Sequence, residues 1–291
     1  MPKPRNLMTA LFLVSMAVAA SPANGAAPPR ADGMTEPVYL VHGYSADGTD
    51  CERRWGPAME AWRNAGWEGE FHTVGYYAGD SSCSTKIAAT DRSTPIQQLG
   101  SQLAWDIYLQ YSRHGKSVDV VGHSMGGLIA RVALTGVGRG WEGFPPFVYV
   151  EDAVTLGTPH GGVAASWVRS CDEPQCVQMR PGSKFLRVAS IGQNPQSSQG
   201  TDWTLIGSED DATVAWQSAV ASRAAPNMRP GHRVLHKRGE RITHGDLAST
   251  VSGDRTYRLS YSRGDGPAQR TEKGRSPVYA AGGAIKWWSR W

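Results

Sequence analysis

Residues 118–127 read Val-Asp-Val-Val-Gly-His-Ser-Met-Gly-Gly, a β-branched run that breaks into glycines around one serine. The valines predict a buried strand. Gly122 and Gly126 flank Ser124 in the pattern G-x-S-x-G, where missing side chains let the backbone turn sharply. The residues that follow recur at the spacing of one helical face, namely Leu128, Ile129, Val132 and Ala133. The stretch therefore predicts a strand, a strained turn that lifts the Ser124 hydroxyl clear of the sheet, and a helix.

Apolar strand-like segments alternate with amphipathic segments on both sides of this turn. The 291 residues are 40% hydrophobic and 19% charged, which suits one large α/β domain. The alternation of strands and helices predicts a mostly parallel sheet with helices on both faces. The predicted strands cover residues 37–41, 71–76, 118–121, 147–156, 202–206 and 233–236, and the predicted helices cover 55–65, 95–114 and the residues after Ser124. Residues 78–94 are predicted to be a polar loop.

The first 26 residues have the three-part layout of a secretory signal peptide. Lys3 and Arg5 precede an apolar run from Leu7 to Ala20, which is short for a membrane span, and small residues and prolines follow. Cleavage after residue 20, 23 or 26 fits equally well. We expect a secreted protein, with a retained membrane anchor as the alternative. Removing the two basic residues lowers the formal charge from +4 to +2, which indicates no nucleic-acid partner.

Four cysteines agree with export to an oxidising compartment. Pairing Cys51 with Cys83 and Cys171 with Cys176 is the simplest of the three possible connectivities. Zinc is disfavoured, because no pair has C-x-x-C spacing and no histidine lies at finger distance. We therefore expect two disulfides and no metal site.

A serine hydroxyl needs a histidine to remove its proton and a carboxylate to orient that histidine. In a sheet with this kind of turn, the acid and then the histidine follow the serine along the chain. The loop after strand 202–206 contains both Asp210 and Asp211. We favour Asp211, because the pattern Asp-x-x-Val would bury Val214 and turn the carboxylate inward, and Asp210 stays the alternative.

Three histidines follow the acid. His232 precedes the last predicted strand and His236 falls within it, where a packed or surface histidine is expected. His244 lies in a loop after the strand, from which it could reach across to Ser124. The sequence therefore predicts a catalytic set of Ser124, Asp211 and His244.

Two backbone amides are needed to stabilise the charge that develops when a serine attacks an ester carbonyl. The amide of Met125 directly follows the candidate nucleophile. The second donor is expected from the loop after an early strand. Residues 37–41 lead into His42-Gly43-Tyr44, so the amide of Tyr44 is the candidate.

Three motifs in this order resemble the α/β-hydrolase superfamily and, within it, the secreted bacterial triacylglycerol lipases. They are His42-Gly43-Tyr44, the elbow at 122–127 and Leu-Gly-Thr-Pro-His-Gly-Gly at 156–162. The resemblance covers about residues 36–252. It implies an α/β-hydrolase fold with a small cap, the elbow serine as nucleophile, and oxyanion amides at Tyr44 and Met125. It implies no cofactor, and no calcium ligand cluster is identifiable.

The expected domain layout follows from the resemblance. A signal peptide at residues 1–26 precedes a hydrolase domain at 27–252, in which residues 163–200 form the cap. The cap's scattered apolar residues would face an acyl chain; they are Trp167, Val168, Phe185, Leu186 and Val188.

A C-terminal extension at residues 253–291 has no counterpart in the resemblance. It carries eight basic against three acidic residues and ends with Trp287, Trp288 and Trp291. Two interpretations stay open: peripheral contact with an anionic membrane or lipid surface, or a tail folded back on the body.

The function expected from these features is that of a secreted serine hydrolase, a lipase or esterase that acts on carboxylic esters such as lipid or acylglycerol esters, as a monomer. An acyltransferase would use the same three residues but exclude water. A non-catalytic binding protein on the same fold would normally lack one of the three, and all three positions are filled.

Overall fold

The computed structural model describes residues 27–30, 32–189, 194–221 and 228–287. The predicted signal peptide, Trp288 and Trp291 lie outside the described residues. The described part contains a nine-stranded sheet in the order β3-β2-β1-β4-β5-β6-β7-β8-β9. Its strands are β1 Val38–Val41, β2 Phe71–Tyr77, β3 Thr85–Thr90, β4 Val118–His123, β5 Val150–Leu156, β6 Asp202–Ser208, β7 His232–His236, β8 Tyr257–Arg263 and β9 Gln269–Gly274.

The direction of the strands decides where the candidate residues lie. Strands β1 to β7 pair in parallel, while β8 and β9 are antiparallel. Because parallel strands end at the same edge of a sheet, the loops that follow β1, β4, β5, β6 and β7 meet there. These loops begin at His42, Ser124, Gly157, Glu209 and Lys237.

Helices cover both faces of the sheet and bury two apolar clusters. Helices α2 and α3 contribute to one cluster, and α1 and α7 to the other. Strands β1, β4 and β5 are buried along their whole length, as expected for a parallel sheet covered on both sides. The helices are α1 Cys51–Asn64, α2 Ile96–Gln110, α3 Met125–Gly138, α4 Ser166–Ser170, α5 Pro174–Met179, α6 Trp216–Ala219 and α7 Pro277–Lys286.

The fold class predicted from the sequence is confirmed, but three strands were missed. Strand β3 lies within the stretch predicted to be a polar loop, and β8 and β9 lie beyond the last predicted strand. Strands β3 and β9 form the two edges of the sheet and are exposed or half-buried throughout, so they carry little apolar patterning. Strand β8 lies between β7 and β9, and its alternation of Tyr257, Leu259 and Tyr261 with polar residues is a strand pattern that the prediction missed.

Residues after 252 continue the sheet and then return to the body as α7. Ser276 caps this helix by accepting from the Tyr279 amide, and Pro277 occupies its first turn. The Trp62 indole of α1 donates to the Val278 carbonyl at 2.9 Å. Up to Trp287, the described part of the extension is thus packed on the body, and contact with a membrane surface stays a prediction. Within the described residues, none of the helices combines the length and apolarity that a membrane crossing requires.

Both expected disulfides are present. Cys51, the first residue of α1, pairs with Cys83 just before β3, and Cys171 pairs with Cys176 between α4 and α5. Cys171, Cys176 and Glu173 have ligand atoms within 4.8 Å of one another. The two sulfurs are bonded to each other and are not thiolates, so the described residues offer no metal site here.

The segment expected to be the cap consists of α4, α5 and a turn of π-helix at Phe185–Ala189. Gln175 anchors it, because its amide donates to the carbonyls of Asp91 and Thr94. The expectation that the apolar residues face a ligand is wrong for three of them. Val168, Phe185 and Leu186 are buried in the core beneath, whereas Trp167 is 39% exposed. The side chain of Val188 lies outside the described ones.

Candidate active site

Ser124 lies in a strained turn between β4 and α3. Its φ of 55° and ψ of −126° are rarely adopted by a residue with a side chain. The neighbouring glycines allow close contacts. A Cβ added at Gly122 would lie 2.5 Å from the Gly127 nitrogen, and one at Gly126 would lie 2.1 Å from the Val41 carbonyl oxygen. The G-x-S-x-G spacing is therefore a packing requirement of this turn.

The three residues proposed from the sequence form one hydrogen-bonded chain. His244 Nε2 lies 2.9 Å from Ser124 Oγ, and His244 Nδ1 lies 2.7 Å from Asp211 Oδ2. The Asp211 side chain is fully buried, and its Oδ1 accepts from the amides of Thr213 and Val214 at 2.8 and 2.9 Å. Because both amides bind Oδ1, the other carboxylate oxygen, Oδ2, is available to the imidazole. The arrangement has the hydrogen-bond pattern of a serine nucleophile, its base and an orienting acid.

The alternative candidates have other partners. The Asp210 carboxylate accepts from the amides of Gly239 and Arg241 in an exposed turn. His232 pairs with Asp202, with 3.0 Å between Nδ1 and Oδ2. His236 is fully buried within β7, and burial lowers its pKa to about 4.

His123 was not predicted as a site residue. Its buried Nε2–H donates to the His244 carbonyl at 2.8 Å. Burial and the nearby His244 hold the pKa of His123 well below its usual value, so the ring stays neutral. His123 thus ties the loop that carries His244 to the elbow. His123 occupies a variable position of the G-x-S-x-G motif, so the sequence did not indicate this role.

The loop after β1 packs directly on the candidate nucleophile. A Cβ added at Gly43 would lie 2.8 Å from Ser124 Cβ. The Gly43 carbonyl accepts from the Tyr76 hydroxyl at 2.7 Å, and His42 Nδ1 lies 2.8 Å from the same oxygen. In a trans peptide the N–H points opposite to the C=O, so the bond from Tyr76 also fixes the direction of the Tyr44 N–H. In the described part of the chain, neither that N–H nor the Met125 N–H at the start of α3 has a protein acceptor.

A buried histidine and aspartate hold this loop from below. His42 Nε2 lies 2.9 Å from Asp80 Oδ2, and both side chains are inaccessible to solvent. Asp80 also accepts from the amides of Tyr76 and Tyr77. Burial raises the pKa of the Asp80 carboxyl, but its hydrogen bonds with His42 and the amides outweigh burial and keep that pKa below its usual value. Asp80 falls in the predicted loop, and no sequence signal singled it out.

The third motif supports the imidazole and its acid. Gly157 has a φ of +61°, and a Cβ added there would lie 3.2 Å from His244 Nδ1 and 3.3 Å from Asp211 Oδ2. His160, from the same motif, is buried, and its Nε2 lies 3.1 Å from Thr155 Oγ1. The glycine therefore lets the chain pass close to the hydrogen-bonded pair.

A cleft of about 500 Å³ opens beside Ser124 and His244. Its described lining is mostly polar, and it contains Gly43, Tyr44, Ser45, Gly48, Thr49, Asp50, Arg53, Arg54, His123, Gly245 and Ser249. The cap adds an aromatic side chain nearby, since the Trp167 and Tyr44 rings have centroids 5.5 Å apart. This volume is within the range of small-molecule sites.

Comparisons with known proteins agree with the topology. Residues 97–170, which contain the elbow, match the PGAP1-like α/β domain family. Lipase B of Aspergillus fumigatus superposes with a TM-score of 0.50 at 17% identity, covering 76% of this chain and 52% of that protein. The chain thus spans about half the length of that lipase. No curated protein sequence matches the chain significantly.

Two further solved structures are similar over most of the chain. A lipase of Bacillus licheniformis in its mature form has a TM-score of 0.42 at 20% identity, covering 68% of this chain and 74% of that one. A lipase-esterase related protein of Clostridium acetobutylicum has a TM-score of 0.45 at 11% identity, covering 78% and 93%. Seven parallel strands in this order, with a serine turn after β4 and the Aspergillus lipase among structures of similar topology, show that the chain has the α/β-hydrolase fold.

Proposed function

We propose that the protein is a secreted serine hydrolase that cleaves carboxylic esters, lipid esters among them, through an acyl-enzyme on Ser124. One observation carries this proposal: Ser124 Oγ, the His244 ring and the Asp211 carboxylate form a continuous hydrogen-bonded chain. The chain ends at a cleft large enough for a small ester. Ester hydrolysis needs this set of groups and no cofactor.

The proposed reaction has two steps. His244 Nε2 takes the Ser124 proton as Oγ attacks the acyl carbon, and the amides of Tyr44 and Met125 stabilise the negative oxygen. The protonated imidazole, stabilised by Asp211, then gives its proton to the leaving alcohol. A water molecule, activated by the same imidazole, attacks the acyl-enzyme and releases the carboxylic acid.

Independent features support the substrate class and the compartment. The name of the Aspergillus protein of similar fold is that of a lipase, which supports an ester of a lipid as substrate. Two disulfides are typical of exported proteins, and the N-terminal layout is that of a secretory leader.

The test is the hydrolysis of p-nitrophenyl esters of rising acyl length by the wild type and by Ser124→Ala. We expect kcat to fall by about 10⁴- to 10⁶-fold in the variant. Ser252→Ala is the control, because this exposed serine lies outside the cleft. Product analysis with an added alcohol separates hydrolysis from acyl transfer. Unchanged ester hydrolysis in Ser124→Ala would refute the proposal.

A further inference from the structure

Two consecutive arginines lie in the first turn of the helix that borders the cleft. Arg53 and Arg54 lie in the first turn of α1, and both line the cleft that contains Ser124 and His244. Cations in the first turn of a helix are disfavoured by the helix dipole, and two adjacent ones repel each other. Their position therefore lowers the stability of α1, which indicates that the two side chains have a role in the cleft.

Arg54 is half-buried beside the candidate base. Its Nη1 makes one long contact, 3.4 Å, to the carbonyl of Gly245, the residue after His244. Burial lowers the pKa of Arg54, and Arg53 lowers it further, while no acid among the described residues compensates its charge. The only acid in the described cleft lining is Asp50, whose carboxylate already caps α1 by accepting from the Arg53 amide. The guanidinium thus lacks the carboxylate partner that a partly buried arginine usually has.

The cleft itself is a poor place for an acyl chain. Apart from Tyr44, its described lining consists of glycines and of polar or charged residues. An exposed apolar side chain, Trp167 of the cap, packs at a tilt against the Tyr44 ring at the edge of the cleft. A substrate with an apolar acyl part and a charged alcohol part would match these two chemically different surfaces.

We propose that Arg54, with Arg53 beside it, forms a subsite for an anionic group, a phosphate or a carboxylate, carried by the alcohol part of the ester. This inference rests on the proposed function. A guanidinium binds either anion with two parallel N–H groups, and such charge-assisted hydrogen bonds are the strong ones. The anion would supply the negative partner that Arg54 lacks among the described residues, within reach of the serine that attacks the ester.

The experiment compares pairs of esters that differ in charge and share an acyl chain. The carboxylate pair is 4-carboxyphenyl butyrate and the neutral 4-carbamoylphenyl butyrate. The phosphate pair is dioctanoyl phosphatidic acid and the neutral dioctanoylglycerol, both presented in the same detergent micelles. For each enzyme variant, the measured quantity is the ratio of kcat/KM for the anionic ester to that for the neutral one. Comparing this ratio between a variant and the wild type cancels the intrinsic reactivity of the esters.

Arg54→Gln should lower this ratio by about 10- to 100-fold, the loss expected for a hydrogen bond to a charged group. Arg54→Lys, which keeps the charge but loses the paired N–H groups, should restore part of it. Arg113→Gln is the matched control, because this exposed arginine lies outside the cleft lining. Melting temperatures show whether each variant is folded.

A ratio that falls only for the phosphatidic acid pair would assign the subsite to phosphate. A ratio that falls only for the carboxylate pair would assign it to carboxylate. A fall in both ratios would assign it to anions in general. A folded, active Arg54→Gln whose ratios equal those of the wild type overturns the inference and leaves the proposed function standing. If the wild type hydrolyses none of the four esters faster than Ser124→Ala does, the proposed function itself fails.

Discussion

Replacing Asp211 by asparagine separates the proposed mechanism from a merely structural role for this residue. Asp211 Oδ1 accepts from two amides, and Oδ2 faces His244 Nδ1 at 2.7 Å. In Asp211→Asn, the side-chain oxygen must stay with the two amides, because an NH₂ group there would face two N–H donors. Flipping the amide would cost about 2–3 kcal/mol for the two lost hydrogen bonds. The NH₂ group therefore points at the imidazole.

This orientation changes the tautomer of the base. The new NH₂ donates to His244 Nδ1, so the ring proton moves to Nε2 and faces Ser124 Oγ, where it blocks proton transfer. We expect kcat to fall by about 10⁴-fold, which corresponds to about 5.5 kcal/mol of transition-state stabilisation. Stability should change little, because the asparagine keeps all three hydrogen bonds.

The assay is the initial rate of p-nitrophenyl butyrate hydrolysis at pH 7.5, together with thermal unfolding followed by circular dichroism. Asp210→Asn is the neighbouring control, because the Asp210 carboxylate accepts from amides of an exposed turn and does not contact the imidazole in the described part of the chain. Its kcat should stay within about threefold of the wild type, since the bonds it loses are peripheral. A folded Asp211→Asn that keeps a tenth of the activity, or a larger loss in Asp210→Asn, would refute this reasoning.

Two further predictions test the support of the site, and a third tests how stability depends on pH. Tyr76→Phe should lower kcat about tenfold with little change in KM, because the hydroxyl that donates to the Gly43 carbonyl and orients it is lost. An unchanged kcat would contradict the role given to this hydroxyl. Gly157→Ala should lower the melting temperature and lower kcat about tenfold, because the new methyl group meets the His244–Asp211 pair. Gly140→Ala, with a similar φ of +60° and open space around it, should lower only the melting temperature. Equal effects of the two variants on kcat would argue against the contact. Burial raises the pKa of Asp119 well above its usual value and that of Asp152 to about 8, so these groups favour the folded state below about pH 4, and that contribution is lost as the pH rises towards 8. Asp119→Asn should therefore lose less of its melting temperature between pH 5 and pH 8 than the wild type does, and an equal or larger loss would rule out this source of pH dependence.

The sequence predicted the parts of the fold that depend on buried strands and glycine-rich turns. Strands β4 and β5 are buried along their length and contain several valines, and a Cβ added at the elbow glycines would lie as close as 2.1 Å to the backbone, so both left clear patterns. The edge strands β3 and β9 left no such pattern, because a half-exposed strand accepts polar residues at most positions. Strand β8 does alternate apolar and polar residues at 257–262, and this pattern was missed.

The support of the site was harder to predict than the candidate set itself. The order serine, acid, histidine pointed to Ser124, Asp211 and His244 by residue type and loop position. The roles of Asp80, His123 and Arg54 depend on which loops meet in space, at sequence separations of 38 residues for Asp80 and His42 and 121 for His123 and His244. Such pairings follow from the strand order, which the sequence indicated only in outline.

The proposed nucleophile can be tested without knowledge of the natural substrate. The protein is treated with a serine-directed alkyl phosphonate, and the labelled peptide is identified by mass spectrometry in the wild type, Ser124→Ala and Ser252→Ala. The account predicts one phosphonyl group per chain, attached to Ser124, with loss of esterase activity in proportion to labelling and no label in Ser124→Ala. Label on another residue, or esterase activity that persists in fully labelled protein, would contradict it.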